Sequence, residues 1–244
     1  MADAGHAINV ANLNLCIGFA NDWGAKYQPS NPLISIANMT ASAAAGEAAL
    51  DDVQVKTAPY RNATGTADDL FDPMSKRTTR VMRATKACGM PASAIEDANT
   101  YARKIKGQRA TPKKKDDPNT AVDESKDSVS ASQMSRTNRI ENLDSIRTFL
   151  ESQPLFVPNE TDLTTGSLKT YSNQLKAAVD AITTTFVPFS NSLSGRDDAL
   201  YINNDAVVAV GKLFKVYVEA AFGRNSAEWQ QVKALQFKDR RRSN

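Results

Sequence analysis

"TAPYRNATGTADDLF", residues 57–71, returns in a worn form as "TFVPFSNSLSGRDDAL", residues 185–200. Pro59 and Pro188, Asn62 and Asn191, and the pairs Asp68-Asp69 and Asp197-Asp198 all lie 129 residues apart. The aspartates are either a doubled active site or part of a doubled scaffold, and that choice governs the reading of the whole chain. Working outward at the same offset, "YQP" at 27–29 meets "FVP" at 156–158. Ala48, Ala49 and Asp51 meet Ala177, Ala178 and Asp180, and Val81 and Lys86 meet Val210 and Lys215. With one residue of slippage upstream, Leu13, Cys16, Phe19 and Ala20 fall on Leu143, Ile146, Phe149 and Leu150. A shared offset over most of the chain is the mark of an ancient tandem duplication.

The composition suits helices. Aromatic residues make up only 7% of the 244 residues, and Gly (11) and Pro (10) are few. All-β chains lean on aromatic and β-branched residues and on frequent turns. The alanine-rich run at 41–49 points the same way.

Each copy parses into four helical segments. The first spans 7–26, with Leu13, Cys16, Ile17, Ala20 and Trp23 on one face at helical spacing. Pro29 ends it, and Ser30 or Asn31 can cap a second helix over 32–56 with Pro32 in its first turn. A third is expected to start at Pro59 and run toward Cys88, kinked or restarted at Pro73. Gly89 closes it, and Ser93 with Glu96 three residues on reads as a capping box for the fourth. In the second copy Gly223 is the terminator, and "NSAE" (Asn225 to Glu228) opens the last helix. No proline interrupts Pro188 to Phe222, so one long, largely buried helix is expected there.

Between the copies, residues 107–135 hold hardly a bulky apolar side chain, and such a stretch cannot offset its own ordering entropy. The expected fold is therefore all-α: a tandem duplication of a four-helix bundle, over 1–106 and 136–244, joined by a flexible polar linker at 107–135.

The net charge of +3 is unevenly spread. From Lys76 to Lys115 twelve basic residues face two acidic ones, a net +10 that leaves −7 for the remainder. Lys76, Arg77, Arg80, Arg83, Lys86, Arg103, Lys104, Lys106, Lys113, Lys114 and Lys115 are the candidate polyanion-binding residues. Cations at a helix C-terminus, such as Arg103, Lys104 and Lys106, also arise simply by offsetting the helix dipole. Only Tyr101 lies near enough to stack a base, which counts against nucleic-acid binding.

The inventory for chemistry is poor. His6 is the only histidine, and Cys16 and Cys88 lie far apart on apolar faces, so they read as reduced structural thiols. No P-loop, dinucleotide fingerprint or Glu-x-x-His pair occurs, and no catalytic, cofactor-binding or metal-binding residue is assigned. Adjacent carboxylates on a helix point about 100° apart and cannot both face one metal, so Asp68, Asp69, Asp197 and Asp198 read as exposed decoration or partners of arginines. No apolar run approaches the roughly 18 residues of a membrane span, and "MADAGHAINV" lacks the regions of a signal peptide. A cytoplasmic protein is expected, with signal-less secretion left open.

The duplicated "YxP...P...DDL" skeleton resembles a family of uncharacterised bacterial proteins, chiefly of the Bacteroidetes type, built from tandem helical bundles. The resemblance implies a helical fold and brings no activity, cofactor or site residue with it. The expectation for function is a non-enzymatic scaffold that binds a macromolecular partner or copies of itself. The alternative is a sequence-independent nucleic-acid-associated protein acting through residues 76–115.

Overall fold

The computed structural model describes residues 4–108 and 134–241, and all secondary structure among them is helical. The first helix, α1, runs Ala4–Trp23 and buries Leu13, Cys16, Ala20 and Trp23 of the expected stripe together with Val10, while Ile17 is only half-buried. Gly24 ends it at φ +53°, a left-handed conformation that glycine adopts without steric cost. Asn31 then caps a 3-10 turn, Pro32–Ile34, accepting from the Leu33 N–H at 3.0 Å, rather than capping the second helix itself.

From there α2 runs without a break over Ile36–Phe71, and its counterpart α6 over Thr165–Asp197. Pro59 and Pro188 lie inside these helices. This corrects the expectation that each proline starts a third helix. A proline inside a helix forfeits one backbone bond, here to the Val55 or Thr184 carbonyl, at roughly 3 kcal/mol. Packing overrides that local signal. The Tyr60 ring stacks on Phe189, 5.1 Å between centroids and 9° from parallel, and lies 5.5 Å from Phe186, while Val53 and Ala67 are buried on either side. Aromatic pairs of this kind add about 0.5–1.5 kcal/mol each beyond their burial.

The break comes instead at Pro73, which N-caps α3 (Met74–Ala87), and Gly89 closes α3 at φ +73° with the Met90 N–H bonded back to the Thr85 carbonyl. The next helix, α4, runs Ala92–Ile105 from Pro91 with no side-chain cap. Ser93 is therefore inside the helix, and Glu96 accepts from Arg103 rather than closing a capping box. In the second half α5 spans Arg136–Glu151, with Ser135 accepting from the Asn138 N–H. The expected long helix to Phe222 is interrupted. A π turn, Asp198–Ile202, and the polar break Asn203-Asn204-Asp205 separate α6 from α7 (Val207–Phe222), which Gly223 closes. The last helix, α8, is only Ala227–Val232, capped by Ser226 and not by Asn225.

The described chain divides into two compact units, Met1–Tyr60 with Thr185–Asn244, and Arg61–Thr184. These are not the segments 1–106 and 136–244. The first unit's core joins Val10, Leu13, Cys16, Ala20 and Met39 to Val207, Val210, Phe214, Val218 and Phe237. The second joins Phe71, Met74, Val81, Ala98 and Ile105 to Ile140, Leu143, Ile146, Leu150 and Leu168. Each core thus takes its first part from one half of the chain and its second part from the other. The division falls within α2 and within α6.

Burial repeats between the units. Val10, Leu13, Cys16 and Ala20 match Ile140, Leu143, Ile146 and Leu150, and Met39 matches Leu168, each of the last two wholly buried. On the later helices Met74, Thr78, Val81 and Thr85 match Val207, Gly211, Phe214 and Val218. Their spacing is 133 residues, because six residues separate Leu200 from Val207 where two separate Phe71 from Met74. The sequence pairings of Val81 with Val210 and Lys86 with Lys215 are therefore out of register by that insertion.

Candidate functional site

The described members of the sequence-predicted basic set lie on two helices, α3 and α4. On α3, Lys76, Arg80, Arg83 and Lys86 follow helical spacing and are exposed. Arg77 points to an adjacent face, where its guanidinium lies 4.5 Å over the Tyr171 ring and donates to the Asp162 carbonyl (2.6 Å) and the Ser167 hydroxyl (2.8 Å). Burial lowers its pKa below the usual arginine range. Arg80 pairs with both carboxylate oxygens of Asp162, one of them at 3.1 Å, and its hydrogen bonds hold that carboxyl below the usual range. Arg77 and Arg80 thus fasten α3 to the turn Thr161–Leu163. Arg103 pairs with Glu96 at 2.8 Å, and Lys104 and Lys106 are half-exposed near the end of α4. Lys113, Lys114 and Lys115 lie outside the described residues.

One aspartate of each pair meets an arginine. Asp68 meets Arg136 at 2.6 Å, Asp197 meets Arg196 at 2.8 Å, and Asp69 and Asp198 are exposed. Among the described residues no cluster of His, Cys, Asp or Glu could hold a metal ion. Cys16 is buried, and desolvation pushes its thiol up to about 12, which suppresses the reactive thiolate. His6 is buried, its Nδ1 2.6 Å from the Tyr201 hydroxyl. A gap among Met74, Val81, Leu143 and Tyr171 in the second unit is too narrow for a water molecule.

The most site-like geometry is one that the sequence reading missed. After α8 the chain turns at Lys233-Ala234 and runs without helix over 235–241, bonded to α1 and α7. Asn9, on α1 and 1% exposed, takes both main-chain groups of Lys238: its Nδ2 donates to the carbonyl at 2.8 Å, and its Oδ1 accepts from the N–H at 3.1 Å. Asn12, one turn on, donates to the Gln236 carbonyl at 2.9 Å. From α7 the Lys215 ammonium donates to the carbonyls of Lys233 (2.8 Å) and Leu235 (2.7 Å).

Phe237 turns inward and is 7% exposed. Its ring lies over Gly211, where a Cβ would stand 2.2 Å from the ring carbon Cε1, so the hole exists only because residue 211 is glycine. The corresponding helix of the second unit, α5, is covered differently. There α4 lies against it, burying Ala94, Ala98, Ala102 and Ile105 and satisfying its own main chain. Three signals in the sequence mark the groove: Asn9 inside the apolar stripe of α1, Gly211 in the middle of an apolar run, and a lone Phe237 in a polar tail.

No family model matches the chain, and neither the curated proteins nor the solved structures contain a significant match to it. Among the described residues no helix is long and apolar enough to cross a membrane.

Proposed function

We propose that the chain is a non-enzymatic scaffold that works by association, with copies of itself or with a macromolecular partner, and that it is built from a duplicated helical repeat in which each copy lends its second part to the other's core. The observation that carries this reading is the make-up of the two cores, each drawn from both halves of the chain. Because α1 and α5 carry matching stripes, and α3 and α7 carry another matching pair, the surface that closes one half has a chemical counterpart in any second copy. Exchange of like elements between protomers is a low-cost route to association, since no new contact has to be invented. The cytoplasm suits two free thiols, one of them buried. Light scattering from micromolar to millimolar protein tests the self-association arm. A concentration-dependent rise in mass supports it, and a monomer over the whole range overturns it.

One observation favours a second reading. Lys76, Arg83 and Lys86 present three exposed cations along one side of α3, a spacing suited to a phosphate backbone. On that reading generic duplex DNA or RNA binds at low salt and is released steeply as salt rises. Absence of binding at 20 mM salt removes it.

A further inference from the structure

We propose that the groove between α1 and α7 is a docking site for a non-helical chain segment carrying an aromatic anchor, and that its occupant in trans is segment 233–241 of a second copy. This deepens the self-association reading by naming the surfaces that meet.

The recognition is of main chain and one ring. A segment that merely completes a core buries several side chains and closes its own backbone in a helix, as α4 does in the second unit. Segment 235–241 does neither. It buries one large side chain, Phe237, with Leu235 half-buried beside it, and together with the turn before it hands backbone groups of Lys233, Leu235, Gln236 and Lys238 to Asn9, Asn12 and Lys215. In peptide recognition main-chain hydrogen bonds supply affinity and a side-chain pocket supplies specificity, and both are present here. Asn9 is almost wholly buried beneath the segment, so vacating the groove trades its two main-chain bonds for water and opens an apolar hole over Gly211.

The occupant follows from the same contacts. Every bond in the groove is made to a segment that leaves α8 through a two-residue turn, so an identical segment from a second copy makes the same bonds without altering either partner. Groove and segment are different surfaces, so the trans contact is heterologous and links copies head to tail. The cis segment competes at an effective concentration on the order of millimolar, so trans docking shows itself where the protein is crowded or the cis segment is released.

Two full-length variants separate groove from segment. Phe237→Ala keeps the groove and disables the segment, and Gly211→Val blocks the groove and frees an intact segment. Neither is expected to associate with itself. Mixed at equal concentration they should form a 1:1 complex by light scattering. A fluorescein-labelled peptide of residues 232–244 should bind Phe237→Ala at least tenfold more tightly than wild type. The same peptide with alanine at its Phe237 position should not bind. If either variant lacks helical circular dichroism, a protease site placed at Ala234 in the otherwise wild-type chain replaces them: after cutting, the segment should stay bound and exchange with the labelled peptide. No peptide binding and no exchange overturn the groove. Peptide binding without a mixed complex overturns the second copy as occupant. Monomeric behaviour of the wild type at millimolar concentration would remove the broader self-association reading and leave the groove standing, so the two fail separately.

Discussion

Replacing Gly211 by alanine adds one methyl group at the point where the first unit closes on its non-helical segment. The new Cβ would stand 2.2, 2.4 and 2.5 Å from three atoms of the Phe237 ring, well inside van der Waals contact, and the ring must leave. Leaving exposes a phenylalanine side chain that is now 93% buried, worth about 1.5–3 kcal/mol. The segment's departure also breaks the two bonds of Asn9 to Lys238, at about 0.5–1.5 kcal/mol each. Against this, alanine improves on glycine inside a helix by roughly 1 kcal/mol. The balance is a loss of about 1.5–5 kcal/mol. At about 2–4 °C per kcal/mol for a chain of this size, the melting temperature should fall by at least about 3 °C. Calorimetry measures the fall, and trypsin reports its place, because Lys238 should become rapidly cleaved. Gly18→Ala and Gly65→Ala are the controls: both sites are helical and exposed with open space for a Cβ, and each should stabilise by about 0.5–1 kcal/mol. A Gly211→Ala chain as stable as these, with Lys238 still protected, would refute the account of the groove.

Three further outcomes follow from the fold. Pro59→Ala and Pro188→Ala should each raise the urea midpoint, by about 1–3 kcal/mol in stability, since each restores a helix-interior bond; a loss would mean that the helices rely on the proline. Burial pushes the Asp144 carboxyl up, but the hydrogen bond from Lys176 and the charges of Lys176 and Arg147 outweigh it and leave the folded pKa depressed. Its contribution is therefore present above the ordinary aspartate pKa of about 3.9 and lost as pH falls below it, so Asp144→Asn should lower the urea midpoint at pH 7 and converge on wild type in strong acid. A chain cut after folding at a protease site inserted between residues 113 and 130 should elute as one species until denaturant is added, because each core holds parts of both halves; fragments that separate in native buffer would show that the halves fold alone.

Helix formation, the buried stripe of α1 and the stops at Gly89 and Gly223 were legible in the residues, since each is local. Periodicity over Leu13, Cys16 and Ala20 needs only one turn of context, and a glycine stop needs only its own φ. The aspartate pairs could be set aside from the angle between neighbouring carboxylates, and Arg136 and Arg196 take one of each. Local reasoning misled at Pro59 and Pro188, where a first-turn preference lost to packing of Tyr60 on Phe189. Within the basic segment, charge in sequence carries no information about which guanidinium folds back onto Tyr171 or Asp162.

By itself, then, the sequence determined that this is a helical chain and where several of its helices stop. Tertiary structure alone decided which half covers which, that two long helices run through their prolines, and that Asn9, Gly211 and Phe237 meet. An apolar stripe records that a face is buried but not what buries it, because burial of apolar surface is non-directional. The partner is chosen by shape and by the bonds left over, and those depend on residues more than two hundred positions apart, as Asn9 and Lys238 are.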